Sequence, residues 1–455
     1  MRKAIFFLWL AVAAVSCAKP AAPDAPVAPV ATTVAGSSSS PSAGADGATA
    51  GDPGTVVTEP SDPAQDIFDP ARVHTFEIDV APADLARVDQ NPKTEEYVPA
   101  RLRFEGQSYD VGYRYKGSIG GFRPPCTEQF DGGPKAGKCS VKLSFNWQTP
   151  DGQFFGLKKL LFHAMGKDES QLRERLGYSL FRTMGVPAPR AVHAVLKVNG
   201  HAELYALVEE IDGRFTRSRF TDGGKGNLYK EIWPIHDDQE AYRAALETNE
   251  DQAPSVDRML RFKSAVAAGV DQMARWMDVD LTVSYMAVDR LILNDDGAFH
   301  FYCIAGGMGN NPTLPGNHNY YWYEAEQADR LWIIPWDLDQ SMRDVDYPPH
   351  LPDDWRLQPM ASECGMCGGG GSGFALNGPA PGCDPVIRNF QAWQSLYETK
   401  LDELLAGPFS KAQVDAQLDV WMRQIQDAGF PINQVAVQEL QAILERARTH
   451  RGYPY

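Results

Sequence analysis

The hydrophobic period of this chain changes once along its length, and that change constrains the fold class. From Val73 to Glu210 most apolar runs are short and strand-like. Val73 to Val80 alternates, Tyr97 to Phe104 and Gln107 to Lys116 flank a turn at Glu105-Gly106, and Ser140 to Phe145 alternates again. Leu157 to Phe162 reads as a further strand, and Ala191 to Val198 with Glu203 to Glu210 as a hairpin about Asn199-Gly200. Two helical patterns interrupt this region, Ala83 to Gln90 and Ser170 to Met184. After a short strand at Asn227 to Lys230, helical spacing takes over: Ser255 to Ala267, Asp271 to Leu293, Val386 to Leu405 and Lys411 to Arg448. A second hairpin, Tyr320 to Glu324 with Arg330 to Trp336, sits among these helices. The order predicts an α+β protein, strand-rich over about 65–210 and helix-rich over about 211–455.

The N-terminus lies outside that pattern. Arg2 and Lys3 precede a short apolar run, Ala4 to Val15, too short to span a bilayer and typical of a signal peptide. Ala14-Val15-Ser16-Cys17 is similar to a lipobox, which predicts a signal peptide over 1–17, lipidation of Cys17 and anchoring in the cell envelope. Cleavage by an ordinary signal peptidase nearby is the alternative. Ala18, rather than Asp, follows the cysteine, which points to the outer membrane in a Gram-negative host. Residues 18–64 are rich in Ala, Pro, Ser and Gly and nearly lack large apolar side chains, so they are expected to be a disordered tether. The net charge of -16 is spread along the chain without a basic block, which disfavours nucleic-acid binding. Cys126, Cys139, Cys303, Cys364, Cys367 and Cys383 suit disulfides in an exported protein, with Cys126 and Cys139, and Cys364 or Cys367 and Cys383, as candidate pairs. Cys364-x-x-Cys367 could also be half of a zinc site.

The chemistry concentrates at the ends of apolar elements. Leu331 to Trp336 ends on Asp337-Leu338-Asp339, and the helical pattern up to Leu293 ends on Asn294-Asp295-Asp296. Such carboxylates are solvated, paired or used to hold a hard cation. One cluster can take a proton from an attacking hydroxyl while the other holds Mg²⁺ on phosphates, with Mn²⁺ or Ca²⁺ as alternatives. His318-Asn319 precedes the hairpin strand, with Asn319 a candidate metal ligand. Gly117-Ser118-Ile119-Gly120-Gly121 is either a hairpin loop or an amide cradle for phosphate. Lys142 shares a strand face with Ser140 and Ser144, either solvated or aimed at phosphate. Glu210, at the end of a strand, and Lys230 have the same two readings.

In order along the chain, Tyr115-Lys116-Gly117-Ser118, Lys142-Leu143-Ser144-Phe145, Leu172-Arg173-Glu174, Val198-Asn199-Gly200, Glu209-Glu210-Ile211-Asp212, Leu228-Tyr229-Lys230, Asn294-Asp295-Asp296, His318-Asn319-Tyr320-Tyr321 and Ile334-Pro335-Trp336-Asp337-Leu338-Asp339 resemble the CotH-type kinases. The resemblance covers roughly residues 73–345. It implies a divergent bilobal kinase-like fold over 65–455, with an N-lobe over about 65–210 and a C-lobe over about 211–455. It further implies ATP and a divalent metal as cofactors, and phosphorylation of Ser or Thr on envelope or coat proteins. In that family Asp296, with Asp295 beside it, matches the catalytic position, Asp337 and Asp339 the metal ligands, and Lys142 the nucleotide lysine.

The chain departs from the family pattern in one place. Gly297 to Asn317 separates the first acidic motif from His318-Asn319, and His300-Phe301-Tyr302 offers a second alignment for the histidine motif. A non-catalytic surface or adhesion protein on the same scaffold, and a calcium-stabilised carbohydrate-binding or hydrolytic domain, are the competing readings.

Overall fold

The computed structural model describes residues 62–92, 94–117, 138–294, 296–301, 316–343 and 381–452, with the backbone of 127–128 and 135–136. The expected signal peptide, the lipidated Cys17, nearly all of the tether, Ser118, Gly120, Asp295, residues 302–315 and four of the six remaining cysteines lie outside them. No disulfide has both its cysteines among the described residues; Cys139 and Cys383 are the half-cystines that fall within them. No helix of the described residues is long and apolar enough to cross a membrane.

The strand patterns of the first half close into a seven-stranded barrel. In chain order the first elements are β1 (His74–Val80), α1 (Pro82–Gln90), β2 (Val98–Phe104), β3 (Gln107–Lys116), a small ladder of β4 (Thr127–Glu128) and β5 (Lys135–Ala136), β6 (Ser140–Ser144), β7 (Lys159–His163), α2 (Arg173–Thr183), β8 (Ala191–Val198) and β9 (His201–Val208). The barrel order is β1-β2-β3-β6-β7-β9-β8, closed by the parallel pairing of β8 with β1. Alternation decides which side chains fill it. Phe76, Ile78, Leu143, Phe162, Ala194 and Leu207 point inward to one core. Leu161, Val195, Leu204, Ala206 and Val208, on the other face of the same strands, belong to a second core. β7, β8 and β9 are thus walls shared by two cores.

The second core is built from helices and one sheet. It contains α3 (Gly213–Arg219), β10 (Asn227–Lys230), α4 (Gln239–Ala244), α5 (Asp257–Ala267), α6 (Val270–Met273), α7 (Val279–Leu291), β11 (Tyr320–Glu324), β12 (Leu331–Pro335), α8 (Pro385–Phe390), α9 (Gln394–Ala406), α10 (Lys411–Asp427) and α11 (Gln434–His450). β10, β11 and β12 form an antiparallel sheet whose last two strands are buried on both faces, which explains the unbroken apolar run of β12. The architecture is α+β. α2 precedes β8 in the chain, yet its Leu172, Leu176, Leu180 and Phe181 pack into this second core.

Three long helical patterns are shorter in the structure than their spacing suggests. Lys411 to Arg448 is two helices: Gly429 adopts φ +88°, and Pro431 brings no N–H to continue the ladder. Asp271 to Leu293 breaks at Met277, after which Asp278 caps α7 by accepting from the Leu281 N–H at 3.1 Å. Val386 to Leu405 is interrupted by a 3-10 turn at Gln391–Trp393.

Candidate functional site

The site starts on the outer wall of the barrel. Arg114 pairs with Lys142 and Lys116 with Ser140 across β3 and β6, and Lys142 pairs with Leu161 across β6 and β7. Period-two alternation therefore sends Lys116, Lys142 and His163 out of the barrel on the face that Leu161 packs into the second core. Lys142 meets Glu210 at 2.8 Å, and Lys159 reaches the same carboxylate at 3.4 Å. The Lys116 Nζ lies 2.7 Å from His163 Nε2 and above the Trp336 ring. Burial lowers the Lys116 ammonium to about 8, against the raising pull of Asp337 and Glu174; the charges of Lys142 and Lys230 lower it further. Three lysines thus share one field. Lys230, on β10, also lies over the Tyr321 ring of β11.

Helix α2 brings the first carboxylate. Asp168 fixes its start by accepting from the backbone N–H of Ser170 at 3.0 Å and of Arg173 at 2.8 Å. One turn apart on the helix, Glu174 and Tyr178 then face the end of β12. Glu174 accepts from His163 Nδ1 at 2.6 Å, and Tyr178 Oη accepts from the Asp337 N–H at 3.0 Å. Close approach of α2 is possible because residue 177 is glycine: a Cβ there would lie 2.8 Å from Leu338 Cδ1.

The chain turns sharply beyond β12. Asp337 takes φ +51°, a left-handed conformation that Asp tolerates better than most residues. Its carboxylate is 40% exposed and lies 3.9 Å from His163 Nδ1. His163, Glu174 and Asp337 place potential ligand atoms within 4.8 Å of one another. Asp339 follows close by. Burial, and then the charges of Asp337, Glu174 and Asp296, push its carboxyl well above the usual carboxylate range. Burial and Asp337 do the same to Glu174.

The second acidic segment reaches the same place. At the end of α7 a buried knot sets its course: Arg290 donates to Asp289 at 2.7 Å and to the Asn294 carbonyl at 2.8 Å, and Asn294 Nδ2 donates to Asp289 at 2.8 Å. Asn294 is therefore a structural residue. Gly297 is required here, since a Cβ would sit 2.2 Å from Asn294 Nδ2. Asp296 emerges from this turn and accepts from Asn319 Nδ2 at 3.0 Å and Gln340 Nε2 at 2.6 Å. His318 Nε2 lies 3.7 Å from the same carboxylate. His318-Asn319 is thus in place beside Asp296, while Phe301 is buried against Trp233. Asp296, Asp337 and Asp339 lie within one electrostatic neighbourhood.

Of the residues singled out from sequence, Lys142, Glu210 and Lys230 line the basic side and Asp296, Asn319, Asp337 and Asp339 the acidic side. Asn319 contacts Asp296 through its amide N–H, as a group that orients it. Gly117 is exposed at the end of β3. Sequence reasoning did not single out Lys116, His163, Glu174, Tyr178 or Gln340 as site residues. Lys116 and Glu174 did stand within the motifs of the family resemblance; nothing local marked His163 as more than one residue of a strand.

This is an α+β protein in which a barrel wall bearing lysines meets a cluster of carboxylates. It matches the model of the CotH kinase protein family over residues 129–442, and it belongs to that family. It is also similar to the inner spore coat protein H of Bacillus subtilis (strain 168), 23% identical over 305 residues, which cover 62% of this chain and 73% of the relative.

Proposed function

We propose that this protein is a metal-dependent protein kinase that transfers the γ-phosphate of ATP to Ser or Thr hydroxyls of proteins in the cell envelope or a coat. The observation that carries this reading is the convergence of Asp296, Asp337, Asp339 and Glu174 beside Lys116, Lys142 and Lys230. Phosphoryl transfer needs this division: positive charge for the phosphates, carboxylates for a cation, and one carboxylate for the attacking hydroxyl.

The donor set fits a hard divalent cation. Glu174 Oε2 is buried without a hydrogen-bond partner, and Glu174 and Asp339 are pushed toward protonation by burial and then by their negative neighbours. A cation would relieve both. Asp337 and Asp339 would hold Mg²⁺, with Mn²⁺ and Ca²⁺ sharing the same oxygen preference. Bound there, the cation would neutralise phosphate charge. Lys116, Lys142 and Lys230 bind and orient the phosphates. Asp296, held in one orientation by Asn319 and Gln340, accepts the proton of the hydroxyl as its oxygen bonds to phosphorus and the bond to ADP breaks. The barrel and the helical core would act as the two lobes of a kinase-like fold.

Export by the N-terminal segment, lipidation of Cys17 and disulfides at Cys139 and Cys383 complete the proposal. The printed name of the spore coat relative supports a coat or envelope substrate. The test is calorimetric titration with Mg-ATP together with phosphate transfer to itself or to a generic Ser/Thr substrate. Asp337→Ala is expected to lower transfer by on the order of 10³-fold with an unchanged circular dichroism spectrum. A wild-type chain that neither binds Mg-ATP nor transfers phosphate refutes the kinase reading and leaves the scaffold reading.

A further inference from the structure

The geometry points to Glu174 as a direct ligand of the divalent cation, so that α2 closes the metal site that Asp337 and Asp339 begin; the inference builds on the metal-dependent reading above. Glu174 is only 1% exposed. One of its oxygens, Oε1, accepts from His163 Nδ1 at 2.6 Å, and the other, Oε2, is buried with no partner. A carboxylate oxygen buried beside other carboxylates and left unpaired is a strong anomaly unless a cation completes it. Its strongest ionic neighbours are Asp337, Lys116 and Asp168; only Lys116 is positive, and that ammonium points at His163.

His163 lies within the same trio but is excluded as a ligand by its protons. The Lys116 ammonium can only donate, so His163 Nε2 accepts from it at 2.7 Å. The ring proton is then on Nδ1, which donates to Glu174 Oε1. Both nitrogens are committed. What remains of the trio is an oxygen pair, Glu174 and Asp337, with Asp339 in the same electrostatic neighbourhood, and such a set suits Mg²⁺ or Mn²⁺ and disfavours zinc. His163 is a positioning residue that fixes the carboxylate plane of Glu174, and through it Lys116 is tied to the metal site. The helix is itself held in register by the hydrogen bond from the Arg173 N–H to Asp168 and by the close contact of Gly177 with Leu338.

The test is Mn²⁺ titration of the purified full-length chain without nucleotide, by calorimetry and by the electron paramagnetic resonance of bound Mn²⁺. Glu174→Gln is expected to weaken Mn²⁺ at least about tenfold and to reduce the Mn²⁺-induced rise in melting temperature. The metal-free melting temperature of this variant is expected to rise, because a buried charge is removed while the acceptor for His163 is kept. If Glu174 is purely structural, Glu174→Gln leaves Mn²⁺ affinity unchanged and lowers the metal-free melting temperature; that result overturns the assignment. His163→Gln gives a second route should Glu174→Gln fold poorly: a smaller weakening of Mn²⁺ is expected, and unchanged affinity counts against the assignment. A chain that binds Mn²⁺ through Glu174 but transfers no phosphate refutes the kinase reading alone. A chain that transfers phosphate while Glu174→Gln retains wild-type Mn²⁺ affinity refutes this inference alone.

Discussion

Two buried carboxylates, Glu209 and Glu174, are equally hidden from water and have opposite surroundings. Each is 1% exposed. Glu209 is enclosed by Arg190 at 2.6 Å, Arg219 at 2.8 Å and Arg214 at 3.0 Å, and Asp62 shares two of these arginines. Burial pushes its carboxyl up, but Arg219, Arg190 and Arg214 outweigh that and hold it at about 2. Glu174 has a neutral histidine and more carboxylates, and its pKa is driven upward. The first centre carries its own counter-charge and is complete as folded. The second has only Lys116 as a positive charge among the strongest ionic neighbours of Glu174, and that shortfall is what makes it a site rather than a joint. The neighbouring residues Glu209 and Glu210 illustrate how local the distinction is. They follow β9 directly, and one turns to the arginines while the other turns to Lys142 and Lys159.

The comparison breaks most readily at Glu209. Glu209→Gln leaves three arginines without their buried anion and is expected to cost about 3–5 kcal/mol of stability. Differential scanning calorimetry should therefore show a large fall in melting temperature, against the rise expected for Glu174→Gln in metal-free protein. Equal signs for the two exchanges would remove the distinction between a neutralised and an unneutralised centre.

Acid titration separates the centres next. The Glu209 carboxyl is held at about 2 against an ordinary value of 4.5, so the folded state binds fewer protons than the unfolded state in that window. Its contribution, on the order of 3 kcal/mol, is present above 4.5 and lost as pH falls toward 2. Glu174 and Asp339 are shifted upward, so the sign reverses: their contribution is present below their ordinary values and lost as pH rises through the raised ones. Melting curves of metal-free wild type, Glu209→Gln and Glu174→Gln between pH 7 and 3 resolve the two. Glu209→Gln should flatten the acid limb, and Glu174→Gln should remove part of the loss on approaching neutrality.

What could be read from the chain follows the same divide between local and assembled features. Alternation in Ser140 to Phe145 placed Val141, Leu143 and Phe145 on one face and Lys142 on the other, and the barrel core takes the first three. The apolar run ending on Asp337 is a buried strand, because a strand covered on both faces has no polar alternation to show. Glu174 was harder to recognise as a site residue. In sequence it is one acidic residue of an amphipathic helix, indistinguishable from a solvated one, and only the docking of α2 on Leu338 puts it beside Asp337. The Lys116–His163 contact joins β3 to β7, strands that are not neighbours in the barrel, and no spacing encodes it. The break at Gly429 and Pro431 was legible in principle, but the apolar spacing runs through it undisturbed.

Tyr178→Phe is the finest test, because it alters the acid centre without changing any charge. Its hydroxyl accepts from the Asp337 N–H at 3.0 Å and helps hold that residue at φ +51°. This is a single hydrogen bond between an uncharged amide and an uncharged hydroxyl. The stability loss should therefore be about 1 kcal/mol. Mn²⁺ affinity should fall by a few-fold as the ligand geometry loosens. A loss comparable to that of Glu209→Gln would mean that hydrogen bonds, rather than a missing counter-charge, govern the acid centre. It would then be a structural joint like the arginine-bound one. A small loss in stability with a measurable loss in metal affinity is the pattern of a centre whose stability and function are carried by different interactions.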